Sequence, residues 1–440
     1  MAVAPRRCKR VKWELPIIAL GVLAVAGVSR RLTATSFTPA MAFCLIGLLT
    51  GPLVLDEVTS TPASATVRTL AEATLAVVLF ADASRIKLRA LRREYAVPLR
   101  LLGVGLPLTI ALGGVLAAAV FDQLNAAEAL VLAVLLAPTD AALGQAVVTE
   151  PRLPSRIRQG LNVESGLNDG ICVPLLLIAL AAADVEGSTA TAQHAVTIVV
   201  EELGYGLLGG AAAGLAAATT VAIGSRRDLI SGSWLQVIPV AGAALAYGLA
   251  AALGGSGFIA AFIAGAVFGT LLPRKSEEAS RLNEELGGLL GGVTFLIFGA
   301  VLLGPTLKHL NWRIVLYALL SLTLVRMLPV AIAMARAGAK WQTAGFLGWF
   351  GPRGLASIVF AVISVETAHL AGSQTILLTT YLTVGLSVVA HGTTAAPLAK
   401  RYAHWYETHP RHDRPEMESV PASEHRPRGR PSQPAKPRRE

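Results

Sequence analysis

Charged residues are what this chain has least of. Only 15% of its 440 residues are Asp, Glu, Lys or Arg, where a soluble domain carries about 25%. That shortage, with 53% hydrophobic residues and a mean hydropathy of +0.58, excludes an ordinary soluble fold. Cysteine is nearly absent. Cys8, Cys44 and Cys172 have no paired spacing and no histidine partner, so neither a disulfide framework nor a cysteine metal site is expected. No glycine-rich phosphate loop, His-Glu-x-x-His run or Ser-His-Asp arrangement occurs, and no enzyme chemistry is expected. A cleavable leader is not expected either, because the first apolar run, 15–28, is followed by Ser29-Arg30-Arg31 and not by a small-residue cleavage site.

What is abundant is apolar sequence in lengths that cross a bilayer. About thirteen spans of roughly 15–25 residues fit a hydrocarbon core of about 30 Å. They lie near 15–28, 36–55, 67–83, 97–120, 127–149, 161–182, 194–223, 234–253, 256–272, 286–304, 312–335, 343–365 and 374–397. The expected fold is therefore an all-α polytopic membrane protein. Its 42 glycines and many alanines suit close helix packing in lipid. Residues 1–14 read as a basic tail, 15–399 as the membrane domain and 400–440, rich in Pro, Arg and Ser, as a disordered tail.

The net charge of +10 sits in loops and tails, which points to membrane orientation and not to nucleic acid. Basic loops (Arg30-Arg31, Arg85–Arg100, Arg152–Arg158, Arg226-Arg227, Arg274–Arg281, Arg336/Lys340) alternate with loops carrying Asp56-Glu57, Asp122/Glu128 and Asp184/Glu186. The positive-inside rule puts the basic loops and the C-terminus in the cytoplasm of a plasma-membrane protein, and thirteen spans then put the N-terminus outside.

Two spans are interrupted at their midpoints. Span five contains Ala137-Pro138-Thr139-Asp140 and span twelve contains Gly351-Pro352-Arg353-Gly354. Proline removes a backbone donor and glycine loosens the helix. With span seven as a linker, each break falls in the fifth span of a six-span half, the pattern of inverted repeats around a midplane site.

Polar residues gather near those breaks. Glu164, Ser165, Asn168 and Asp169 form one stripe on span six, since residues four apart share a helix face. An Asp at the centre of a membrane helix costs about 2.5–3.5 kcal/mol on insertion scales, so Asp169 is expected to carry an ion or a proton. Asp169, Asp140, Ser165, Thr139 and freed carbonyls are the oxygen donors a small monovalent cation needs. A carboxylate that holds either a proton or a cation is the minimal device for exchange. Asp140 fits a direct ligand or a helix-dipole partner, and Asn168 a bridge to span five or a ligand. Glu164 is the expected anion for Arg353, a structural pair joining spans six and twelve. Glu72 on span three is balanced between the ion path and a packing role; Asp82 reads as interfacial; Arg326 and His391 are either pore-lining or packed.

At these residues the chain resembles a known family. Pro138-Thr139-Asp140, Asn162-Val163-Glu164-Ser165-Gly166-Leu167-Asn168-Asp169-Gly170 and Gly348-Trp349-Phe350-Gly351-Pro352-Arg353-Gly354 are similar to signature segments of the monovalent cation/proton antiporter-1 family, the sodium/proton antiporters of bacteria and archaea related to animal sodium/proton exchangers. The resemblance runs from about 15 to 399. It implies thirteen helices in inverted six-helix repeats with discontinuous crossing helices, and a homodimer with an interface domain and a moving core domain. It further implies Na⁺/H⁺ exchange, with Li⁺ or K⁺ as other cargo and no resident cofactor. Asp169 would be the carrier, Thr139, Asp140 and Ser165 the cation's neighbours, Glu164 the partner of Arg353 and Asn168 a bridge; Glu72 is a loose positional match. Asn beside Asp implies electroneutral, one-for-one exchange. The chain departs from many relatives at Leu79–Ser84, which bears on the cytoplasmic funnel, and at Ala137, where an aspartate is common. A passive cation channel and an organic-anion symporter on a similar scaffold are the competing readings.

Overall fold

The computed structural model describes residues 14–52, 65–86, 96–187, 192–273, 275–335, 337–367 and 370–408. Of the expected tails 1–14 and 400–440, residues 1–13 and 409–440 lie outside these. Among the described residues the chain forms thirteen helical spans: α1 (Glu14–Ala34), α2 (Pro39–Thr50), α3 (Ala65–Arg85), α4 (Ala96–Val120), α5a (Ala126–Leu135) with α5b (Gln145–Thr149), α6 (Ser155–Gly187), α7 (Ala192–Arg226), α8 (Gly232–Ala252), α9 (Gly257–Leu271), α10 (Arg281–Thr306), α11 (Trp312–Met334), α12a (Trp341–Trp349) with α12b (Leu355–Thr367), and α13 (Ser373–Thr408). The expected spans match these helices in number and order. Fixed caps set several starts. Thr38 accepts the Met41 N–H ahead of Pro39, and Asn311 accepts the Ile314 N–H. Asn125 and Glu128 form a reciprocal capping box at α5a.

Two helix groups pack side by side. In one, α9 lies against α3, α7 and α8, while α10 lies against α2 and α3. A Cβ at Gly265 of α9 would run into the Phe80 carbonyl, so glycine is what lets α9 and α3 meet backbone to backbone. In the other group α5a sits between α4 and α6, and α11 packs on α4, α12a and α13. The largest buried cluster joins α4, α5a, α6, α12b and α13, with Leu132, Val131, Cys172 and Val359 fully enclosed.

Both expected interruptions are real. Residues 136–144 separate α5a from α5b, and 350–354 separate α12a from α12b. One boundary differs from expectation. The last helix does not give way to a tail at 400 but continues to Thr408. Its final turns are anchored by packing: Tyr402 is buried, stacks on Phe346 at 4.4 Å and shares a 2.8 Å hydroxyl hydrogen bond with Thr343. The switch to polar composition there does not coincide with the end of folded structure.

Candidate functional site

The two breaks cross and are sewn together by main-chain and side-chain hydrogen bonds. The Asp140 N–H donates to the Pro352 carbonyl at 2.7 Å. Asp140 Oδ2 accepts the Leu355 N–H at 3.1 Å and Oδ1 accepts the Ala142 N–H at 2.9 Å. Leu355 opens α12b, so the Asp140 carboxylate lies at the positive end of that half-helix. In return, Arg353 Nη1 donates to the Ala137 carbonyl at 2.6 Å and the Pro138 carbonyl at 3.2 Å, just past the negative end of α5a. Each broken helix therefore neutralises the other's exposed end. Of the two roles left open for Asp140, this geometry supplies the dipole partner directly.

Helix α6 holds the α5 break in place. Ser165 Oγ donates to the Thr139 carbonyl at 2.6 Å and accepts the Ala141 N–H at 2.7 Å. Asn168 Nδ2 donates to Thr139 Oγ1 at 2.7 Å. The bridging role for Asn168 is thus present in the geometry. Asp169 follows it, 5% exposed, one helical turn beyond Ser165. Thr139, Asp140, Ser165 and Asn168 come together, and Asp169 is the next residue along α6. Each hydroxyl and carbonyl in the set keeps a lone pair beyond its present hydrogen bonds, the donor chemistry of a hard monovalent cation.

Glu164 requires a correction. Its carboxylate pairs with Arg326 of α11, not with Arg353: Nη1–Oε1 is 2.6 Å and Nη2–Oε2 is 2.9 Å, with both side chains 2% exposed. The reason is positional. Arg353 emerges from a break at the level of the α5a terminus, where bare carbonyls claim its guanidinium. Arg326 lies in the middle of α11, where Glu164 is the anion within reach. The parallel fork of two hydrogen bonds is the strongest arrangement available to this pair. Glu72 is likewise not brought to the site. It accepts from Arg68 Nε at 2.7 Å and faces Tyr247, and it contacts none of the five residues above. His391 is packed: its ring lies between Ser387 and the Trp349 carbonyl.

Access comes from the side of the basic loops. A cavity of about 240 Å³ runs between α2 and α10 on one wall and the α5 and α12b residues on the other, from Glu284 and Gln145 to Asp140 and Leu355. The α10 wall is made of Gly287, Gly288, Gly291 and Gly292, which leaves it open. A smaller pocket between α3 and α6 is lined by Asp82, Arg85 and Ser165. Arg85 links the two mouths, donating to Glu284 at 3.0 Å and to Asp82 at 3.2 Å. Asp82 is thus buried and paired at the rim, where sequence placed it at the interface. Beyond the helices, Arg152 bonds Glu150 in the α5b–α6 loop and holds that carboxyl below the usual carboxylate range.

Comparison with known proteins identifies the family and the fold. Residues 17–401 match the family described as sodium/hydrogen exchanger, transmembrane. The K(+)/H(+) antiporter NhaP2 of Shewanella oneidensis is 26% identical over 343 residues, covering 74% of this chain and 56% of that protein. A Na(+)/H(+) antiporter of Schizosaccharomyces pombe is 27% identical over 260 residues, covering 56% of this chain and 55% of that protein. The chain spans about half the length of these curated relatives. The fold is that of the sodium proton antiporter MjNhaP1 from Methanocaldococcus jannaschii at pH 8, with a TM-score of 0.73 at 19% identity, covering 89% of this chain and 98% of that one.

Proposed function

The chain belongs to the sodium/hydrogen exchanger family, and from that premise we propose that it exchanges one monovalent cation, Na⁺ first among them, for one proton by competition at Asp169. The observation that carries this reading is a buried carboxylate, Asp169, beside an amide tied to the α5 break, with Ser165 and Asp140 at the inner ends of the access cavities. A cation shedding its water needs several oxygen donors at one place, and Thr139, Ser165, Asp140 and Asp169 supply them. A proton arriving at the same carboxylate displaces the cation, which couples the two fluxes without any covalent chemistry.

The remaining parts act on this centre. Asn168 contributes no charge and steadies Thr139. Glu164 with Arg326, and Asp140 with Arg353, hold α6, α11 and the two breaks as one body. The homodimer and the plasma-membrane placement, with the C-terminus in the cytoplasm and the N-terminus outside, belong to the same proposal. In that orientation the cavity at Glu284 faces the cytoplasm. K⁺ is the second reading for the cargo, favoured by the K(+)/H(+) antiporter NhaP2 relative.

Reconstitution tests the proposal. In proteoliposomes with an imposed pH gradient, Na⁺, Li⁺ or K⁺ added outside should dissipate the gradient, and Asp169→Ala should abolish the signal. The apparent KM for the cation should rise as the pH falls, with little change in maximal rate. Retained exchange in Asp169→Ala would sink the mechanism. Cation flux without proton movement would favour a channel.

A further inference from the structure

Three side chains of α13, spaced one helical turn apart, grip both lips of the α12 break. The Arg353 N–H donates to Ser387 Oγ at 2.7 Å. Ser387 Oγ lies 3.1 Å from His391 Nδ1, and His391 Nε2 lies 2.9 Å from the Trp349 carbonyl. The Trp349 indole N–H donates to Thr394 Oγ1 at 3.0 Å, and its ring lies against the imidazole at 5.1 Å. Trp349 is the last residue of α12a and Arg353 stands just before α12b. His391 therefore spans the gap. Ser387 and His391 are 0% and 1% exposed, so water does not replace these bonds cheaply.

Hydrogen-bond direction orders the chain of contacts. Ser387 Oγ accepts from Arg353, so its own hydrogen is free to donate to Nδ1. Nε2 then carries the ring proton and donates to Trp349. In this arrangement Nδ1 accepts, so it makes no hydrogen bond to the Ser387 carbonyl 3.0 Å away. No other arrangement of one ring proton serves Trp349 and the Ser387 hydroxyl together.

We propose that His391 is a positioning residue for the exchange site: with Ser387 it sets the width of the α12 break, and so the reach of Arg353 to the α5a carbonyls and of Asp140 to Leu355. It touches neither cation nor proton acceptor. Its influence passes through the Arg353 main chain to the Ala137 and Pro138 carbonyls, the nearer of which is two residues from Asp140 and one from Thr139. Small displacements matter there because cation affinity depends on simultaneous contact with several oxygens.

The inference rests on the antiport reading for its transport effect but not for its structural effect, and the test separates the two. His391→Leu should raise the apparent cation KM about five- to tenfold, the loss of one or two buried hydrogen bonds, with a smaller change in maximal rate. His391→Gln, whose amide can still donate towards Trp349, should stay within about twofold of the parent. Ser387→Ala should move KM in the same direction, and the double variant should add little to either single one. Hydrogen–deuterium exchange gives a readout that needs no transport: uptake in a peptide covering 349–355 should rise in His391→Leu and Ser387→Ala but not in His391→Gln. Equal uptake in all four proteins, or equal KM values in His391→Leu and the parent, would overturn the proposal. If His391→Leu does not accumulate, Ser387→Ala decides by the same two measurements. A parent protein without exchange activity but with the expected uptake pattern would count against the antiport reading alone.

Discussion

Removing Arg326 should be among the most damaging single changes in this protein, and Glu164 should be the reason. The two side chains form a two-bond fork at 2.6 and 2.9 Å with only 2% exposure on each. Truncating one member of such a pair leaves a buried charge without compensation, at a cost of about 3–5 kcal/mol. Arg326→Met is therefore expected to lower the melting temperature in detergent sharply, and Glu164→Gln in the same chain should recover most of the loss by removing the stranded charge. The coupling from such a cycle should exceed about 2 kcal/mol for this pair. Arg353 provides the control. Its guanidinium bonds to carbonyls, so Arg353→Met should be destabilising in its own right yet gain little from Glu164→Gln. Thermal unfolding followed by size-exclusion chromatography on the six proteins of the two cycles reads both couplings. Rescue of Arg353→Met by Glu164→Gln, with none for Arg326→Met, would refute the pairing and restore the one expected from sequence.

Three further outcomes follow from the geometry. Ser165→Ala removes the donor to the Thr139 carbonyl and the acceptor for the Ala141 N–H, and should cost about 1–3 kcal/mol, seen as a lower melting temperature and a higher apparent cation KM. A Cβ at Gly288 meets nothing within 4 Å, so Gly288→Trp should fold with stability within about 0.5 kcal/mol of the parent yet slow exchange by filling the cavity, measured as a fall in maximal rate. At the rim, Glu284→Gln should raise the cation KM and Arg85→Gln should lower it, both effects shrinking as inert salt is added, because fixed charge at a mouth changes local cation concentration. If both substitutions impair exchange alike and independently of salt, Arg85 is a packing residue.

The spans, their order and both breaks were legible because each rests on local chemistry: apolar runs of bilayer length, and proline with glycine inside them. The polar stripe on α6 was legible for the same reason, since Ser165 and Asp169 share a face by helical period alone. The partner of Glu164 was not. Sequence presents Arg326 and Arg353 as equivalent buried cations, and only the lateral placement of α11 against α6 separates them. For Glu72 sequence left the ion path and a packing role in balance, and its bond to the i−4 neighbour Arg68 is a contact that helical period alone allows. For His391 sequence left pore-lining and packing open. Its meaning depends on two carbonyl and amide positions in a different helix, some forty residues away.

The paired arrangement of charges around the crossing also bears on voltage. Asp140 and Arg353, one charge of each sign, each cap an end of the opposite broken helix, and Glu164 is bonded to Arg326. Each pairing sums to zero, so in this cluster Asp169 is the charge left over. A membrane potential of 100 mV does about 2.3 kcal/mol of work on each elementary charge that crosses it. With a proton or a monovalent cation on Asp169 the cluster offers the field nothing to pull on, in either direction of travel. Under the proposed mechanism the body that moves is electrically silent, and the concentration gradients of the two ions alone set where exchange comes to rest.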